Sequence, residues 1–399
     1  MKAVQSIHPA TYLFAARALR DFGDGFVAIL LPVYLLALGF SPLQVGVIAT
    51  ASLSGSALLT IAIGFLGARR DLRGLLLAAA GLMVASGVAM SIVNDYALLL
   101  VVAFAGTINP SAGSVSVFVP LEHAVLTREV ASADRTRMFA RYSLAGALAS
   151  AVGALATALP DFMTTFGFGQ LTAIKLMFVV YAFLGLAGAV LYARMPPRIT
   201  RGEPAKAALG PSRAIVFKLA ALFSLDAFAG GFVVQSLLAL WLFEQFNLSL
   251  AEAGVFFFWS GVLSAFSFPS PHGYRAGWPH HTMVFTHIPS SIALMLAAFA
   301  PTLPLALALL LVRAALSQMD VPTRSSYVMA VVTEAERTAA ASFTSVPRSL
   351  AAAVSPALAG ALFAASFRAW PFLICAALKI TYDVLLLLQF RHHKPPEEY

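Results

Sequence analysis

A chain of 399 residues that is 60% hydrophobic and only 11% charged is not an ordinary soluble protein, because soluble domains run near a quarter charged and just under half apolar. Its formal charge of +8 does not point to nucleic acid, since the basic residues gather in alternate loops between apolar segments. The single cysteine, Cys375, excludes an intrachain disulfide.

Apolar windows of about twenty residues or more, the length that crosses a bilayer, recur at about 11–38, 42–67, 74–93, 97–121, 138–159, 171–193, 214–243, 250–268, 282–300, 303–331, 340–365 and 369–390. The repetition predicts an all-α polytopic membrane protein with twelve transmembrane helices. Arg69, Arg70 and Arg73, then Arg128 and Arg135, then Arg194 to Arg213, then Arg275, Arg337, Arg391 and Lys394 fall in one set of loops. The other set holds little beyond Lys175 and Arg368. This asymmetry predicts cytoplasmic termini and a multi-pass protein of the plasma membrane, the inner membrane of a bacterium. Met1 to Thr11 carries no cleavable signal pattern, so the first segment is expected to stay as a transmembrane helix.

In the first segment Arg17, Arg20, Asp21 and Asp24 are spaced for pairing one turn apart, Arg17 with Asp21 and Arg20 with Asp24. A self-neutralised cluster near the interface, with Arg17 snorkelling out, is the plainer alternative. Asp24 lies roughly 20 Å along the helix and snorkels poorly. The fourth segment contains Asn109-Pro110-Ser111 and Val119-Pro120-Leu121-Glu122. Residues 196–212, rich in proline and basic side chains, read as a cytoplasmic linker between bundles at 1–195 and 213–399.

The second half repeats the first. Gly25-Phe26-Val27 recurs as Gly231-Phe232-Val233, and Val119 to Val152 aligns without a gap on Val321 to Val354 with 11 of 34 positions identical. An even number of spans separates the copies, as in two six-helix bundles related by an axis along the membrane normal. The tenth segment carries Gln318-Met319-Asp320-Val321-Pro322-Thr323-Arg324, where Arg324 aligns with Glu122. Charge within an apolar helix is costly and is usually kept for a task.

Between the second and third segments, Gly64 to Gly74 resembles the signature loop of the major facilitator superfamily, G-x-x-x-D-R-x-G-R-R. Gly64, Arg69 and Arg73 match, while Ala68 and Asp71 depart from it. With the repeat and the topology, nearly the whole chain resembles that superfamily, and within it twelve-helix bacterial efflux permeases. The resemblance implies two pseudo-symmetric six-helix bundles, with helices one, four, seven and ten around a central cavity.

Arg20, Asp21, Asp24, Glu122, Asp226, Arg313, Asp320 and Arg324 fall on those helices. Asp24, Asp320 and Glu122 are candidates for proton coupling, because a carboxyl group that alternates between burial and an arginine partner links proton binding to conformation. Arg20, Asp21, Asn109, Asp226, Gln235, Arg313, Gln318 and Arg348 are candidates for the substrate cavity. Arg69, Arg73, Glu122 and Arg324 are candidates for a cytoplasmic gate, and a fixed Glu122–Arg324 pair is an alternative to coupling there. Lys379 and Asp383, one turn apart, read as a structural pair. The histidines at 272, 280, 281, 287, 392 and 393 lack a recurring ligand spacing, so no metal and no other cofactor is expected. No G-x-x-x-x-G-K-[ST] loop and no nucleophile–base pair is present, which argues against an ATP-driven pump or an enzyme.

The resulting expectation is a monomeric secondary transporter that exports a small organic molecule or drug against protons. Uptake or facilitated passage of an organic anion is the alternative within the fold. A non-transporting receptor is the alternative of another class.

Overall fold

The computed structural model describes residues 9–66, 71–112, 116–129, 135–196, 210–267, 279–317, 332–333 and 336–390. Fifteen α-helices are found among them. The first eight are α1 (Pro9–Ala37), α2 (Pro42–Leu66), α3 (Leu72–Ile92), α4 (Tyr96–Ala105), α5 (Phe118–Glu129), α6 (Arg135–Leu155), α7 (Leu159–Thr164) and α8 (Gln170–Ala193). The rest are α9 (Arg213–Gly231), α10 (Gln235–Phe246), α11 (Leu250–Phe266), α12 (Pro279–Ala298), α13 (Leu303–Leu316), α14 (Arg337–Ala364) and α15 (Trp370–Phe390).

Seven stretches among the described residues are long and apolar enough to cross a membrane, and four further apolar helices are shorter. Each of the twelve apolar windows contains helix. The fourth is interrupted: α4 stops at Ala105 and α5 begins at Phe118. The tenth is described only as far as Ser317. The chain is thus an all-α polytopic membrane protein.

The described contacts group into two compact units. Unit 1 comprises Met1–Leu38, Gly55–Pro204 and Leu250–Phe258. In it α1 packs against α6, α8 and α5, and α3 packs against α8. Unit 2 comprises Gly39–Ser54, Ala205–Ser249 and Trp259–Tyr399. In it α9 packs against α14 and α15, and α12 against α13 and α15.

Glycines set these approaches, as expected where helices pack without water to drive them together. A Cβ at Gly25 would lie 2.1 Å from the Ser150 carbonyl oxygen, so α1 meets α6 backbone to backbone. In unit 2 a Cβ at Gly231 would lie 2.4 Å from the Ala352 carbonyl oxygen. Gly25 and Gly231 are repeat partners, and 352 − 150 equals 202, the offset between Val119 and Val321. The sequence repeat is therefore also a repeat of contacts.

A loop element anchors unit 2. Glu336 occupies the N-cap position of α14 without a side-chain capping bond; its carboxylate instead accepts from the Ser212 hydroxyl at 2.7 Å, the Thr333 hydroxyl at 2.6 Å and the backbone N–H groups of Gly210 and Ser212. The side chain is buried. These donors favour the ionised form and hold its pKa down to about 2.

Candidate functional site

The densest cluster of charge among the described residues is built on α1. Arg17, Arg20, Asp21 and Asp24 recur at helical spacing and all four are buried. Arg17 Nε lies 2.6 Å from Asp21 Oδ2, as the spacing predicts. Room for that pair comes from α6: a Cβ at Gly146 would fall 2.3 Å from Asp21 Oδ2 and 2.4 Å from Arg17 Nε. Arg17 does not snorkel. Its guanidinium sits 4.4 Å over the Tyr142 ring and donates to the Tyr142 hydroxyl at 3.0 Å.

The expected pairing of Arg20 with Asp24 gives way to a different one. Arg20 Nη1 donates to both carboxylate oxygens of Glu122 on α5 at 3.1 Å, while its Nε lies 3.3 Å from Asp21 Oδ1. Glu122 is completely buried and also accepts from the Tyr192 hydroxyl at 2.5 Å and from the Tyr142 hydroxyl. One arginine and two phenols thus satisfy this carboxylate and tie α1, α5, α6 and α8 together. A buried acid with this many donors is an anchor. Removing one partner of such a pair costs about 3–5 kcal/mol.

Asp24 is left out of the arginine network. It is 1% exposed, and among the described residues no arginine or lysine lies within ion-pair distance. Its partner is Tyr181 of α8, whose hydroxyl donates to Asp24 Oδ1 at 3.2 Å. Gly23 makes this possible, because a Cβ there would meet the Tyr181 ring at 2.8 Å. The same hydroxyl lies 3.1 Å from the Thr107 carbonyl oxygen and 3.2 Å from the Thr107 hydroxyl.

The Thr107 carbonyl is available because the helix breaks there. Pro110 has no N–H for the Gly106 carbonyl. The Ser111 N–H, which in a helix would bond Thr107, instead donates to the side chain of Asn109 at 2.9 Å. Asn109 is buried and so takes part in shaping the site through the backbone. A phenol holds one hydrogen. The Tyr181 hydroxyl can therefore donate to Asp24 or to the Thr107 carbonyl, not to both at once.

The remaining candidates are spread through both units. Arg73 lies half-buried at the start of α3, where its N–H is capped by Asp71 at 3.2 Å, so the residue that departs from the signature loop serves as a helix cap. In unit 2, Asp226 of α9 accepts from Lys379 of α15 at 2.6 Å. Asp383 faces His287 Nδ1 at 3.2 Å. Lys379 and Asp383 therefore each bind another helix and do not form the intrahelical pair their spacing suggests. Gln235 begins α10 and is half-buried, Arg313 is half-buried on α13, and Arg348 is exposed on α14. Arg69, Gln318, Asp320 and Arg324 lie outside the described residues.

Tyr142, Tyr181, Tyr192 and Thr107 were not singled out by sequence. Their signal was available in a general form: a buried tyrosine needs a partner for its hydroxyl, and the acids of α1 and α5 are the polar groups within an otherwise apolar bundle.

A family model for the Major Facilitator Superfamily matches residues 13–278. An uncharacterized membrane protein of Saccharomyces cerevisiae is 24% identical over 416 residues, covering 95% of this chain and 93% of that protein. A bacterial homologue of the iron transporter ferroportin, inward-facing, superposes with a TM-score of 0.71 at 18% identity over 95% of this chain and 98% of its own. A bacterial homologue of the human lysosomal transporter Spinster gives 0.70 at 14% identity over 97% and 96%. The human organic anion transporter MFSD10 gives 0.67 at 16% identity over 95% and 99%. Family model, helical bundle and transporter folds agree on membrane transport and not on enzymatic chemistry, and the chain belongs to the Major Facilitator Superfamily.

Proposed function

We propose that the protein is a secondary active transporter that exports a small organic molecule or drug in exchange for protons, with Asp24 as the proton-carrying group. The observation that carries this reading is the count of charge around α1. Three buried carboxyl groups, Asp21, Asp24 and Glu122, face two arginines, Arg17 and Arg20. Asp21 and Glu122 have arginine partners and Asp24 has a phenol. On α1 the charged groups facing Asp24 are Asp21, Arg20 and Arg17, and from α8 it meets Tyr181. Glu122 of α5 and Tyr142 of α6 are engaged by Arg20 and Arg17. A proton on Asp24 removes the unbalanced charge of this cluster among the described residues, which makes it the group whose occupancy can bias a conformational equilibrium.

In this reading residues 1–195 rock against 213–399 around a midplane site, with both termini in the cytoplasm. Asp320 is the proposed counterpart of Asp24 in the second half, Glu122 an anchor with a secondary part in coupling, and Arg69, Arg73 and Arg324 the gate. The substrate-facing candidates are Arg20, Asp21, Asn109, Asp226, Gln235, Arg313, Gln318 and Arg348. The direction, export, follows the resemblance to efflux permeases.

The test is purified protein in liposomes enclosing a pH-sensitive dye, challenged from outside with a panel of small organic compounds. Exchange predicts internal alkalinisation with an active compound in wild type and none in Asp24→Asn. Internal acidification would reverse the direction to uptake, and a proton signal unchanged in Asp24→Asn would remove Asp24 from the mechanism.

A further inference from the structure

Unit 2 contains a cavity of about 210 Å³ enclosed by α11, α12, α13 and α15, with Gly230 of α9 at its wall. For a membrane bundle its lining is unusually polar. Five serines contribute, along with three basic side chains, His287, Arg313 and Lys379, and no carboxylate lines it among the described residues.

The charges are not equivalent. Lys379 is neutralised by Asp226 at 2.6 Å, and His287 sits against Asp383 at 3.2 Å. Arg313 differs: among the described residues no carboxylate lies within ion-pair distance of it. The backbone around Arg313 is held in place, since the Ser290 hydroxyl donates to the Arg313 carbonyl at 3.3 Å and the Ser264 hydroxyl to the Ala314 carbonyl at 3.2 Å. A guanidinium held in a bundle without a counter-charge is costly, and an anion in the space relieves that cost.

We propose that this cavity binds the carboxylate of a small organic monoacid, with the Arg313 guanidinium as paired donor. The planar fork of arginine matches a carboxylate. Among the described residues Arg313 is the lining cation with no carboxylate within ion-pair distance, and a monoanion matches that single charge. A space of about 210 Å³ accommodates a short-chain acid. The inference rests on the transport reading only in making this acid the cargo. Binding itself is independent of proton coupling, so the two fail separately: butyrate binding without proton movement in liposomes removes the coupling, and proton movement without butyrate binding removes this site.

The experiment is thermal unfolding of the purified full-length protein in detergent with sodium butyrate, sodium succinate or sodium phosphate, at constant ionic strength set by chloride. Butyrate is expected to raise the melting temperature saturably in wild type, and succinate and phosphate to do so much less. Arg313→Gln is expected to weaken the butyrate response roughly ten- to a hundredfold, as for a lost charged hydrogen bond. Arg313→Lys should retain an intermediate response, which keeps the test open if Arg313→Gln does not fold. Lys175→Gln, outside the cavity, should respond like wild type. No saturable butyrate shift in wild type, an equal shift in Arg313→Gln or, where that variant does not fold, in Arg313→Lys, or a phosphate or succinate response as large as that of butyrate would overturn the proposal.

Discussion

At the scale of single residues, the buried charges of α1 divide into those that hold the bundle and one that is positioned to change state. Glu122 belongs to the first group, bound by Arg20, Tyr142 and Tyr192. Glu122→Ala strands Arg20 and is expected to destabilise the protein by about 3–5 kcal/mol, read as a fall in melting temperature. Tyr192→Phe, which removes one of several donors to this carboxylate, should cost less, about 1.5–3 kcal/mol. Glu336 gives a prediction with pH. Its pKa is depressed from 4.5 to about 2 in the folded state, so its contribution is fully present above about pH 4.5 and disappears as pH falls towards 2. Wild type should therefore be more stable than Glu336→Gln at pH 6, with the gap closing across that acidic window. A gap that stays constant down to pH 3 would contradict the assignment.

The residue scale is also where the sequence was least legible. Helical spacing brings Arg17 to Asp21, and the structure keeps that pair. The same spacing offers Arg20 to Asp24, yet Arg20 is taken by Glu122 from another helix. Spacing within one helix says nothing of what the neighbouring helix presents, and the tyrosines that decide the outcome sit 20 to 157 residues away from the acids they bind. Lys379 and Asp383 repeat the lesson. Each prefers a partner across a helix interface to the neighbour one turn along.

At the scale of elements, glycine and helix breaks do what side chains cannot. Gly25 and Gly231 allow backbone contact at repeat-related places in the two units. A valine at Gly25 meets the Ser150 carbonyl, which is backbone and cannot rotate away, so α1 must shift. Overpacking of this kind costs about 1–3 kcal/mol. Gly25→Val and Gly231→Val should each lower the melting temperature, whereas Gly81→Val, where the added Cβ meets nothing within 4 Å, should be tolerated. Equal losses at all three positions would mean that close approach is not the cause. The α4–α5 break falls around Asn109-Pro110-Ser111, inside a window that reads from sequence as one continuous span. Its consequence, a backbone carbonyl at Thr107 freed for Tyr181, required the fold.

At the scale of the whole molecule, the apolar segments and the 202-residue repeat made the architecture legible, because bilayer length and internal symmetry leave few alternatives. The repeat is faithful in packing and not in charge. Where Gly146 makes room for the Arg17–Asp21 pair, the aligned residue of the second half is Arg348. The proposed tasks are divided accordingly, a proton on Asp24 in unit 1 and a monoanion on Arg313 in unit 2. Asp24→Asn should leave butyrate stabilisation within about twofold of wild type, and Arg313→Gln should leave the titration of Asp24 unchanged, as expected for sites that share no partner.

Infrared difference spectroscopy of the protein in lipid, recorded across a pH titration, addresses Asp24 most directly because it needs no substrate. Wild type is expected to show a protonated-carboxyl band that appears and disappears with pH, is lost in Asp24→Asn and is shifted in Tyr181→Phe, where the phenol no longer bonds the carboxyl group. A band that persists in Asp24→Asn, or a wild-type spectrum without any pH-dependent carboxyl signal, would contradict the assignment of the proton to Asp24.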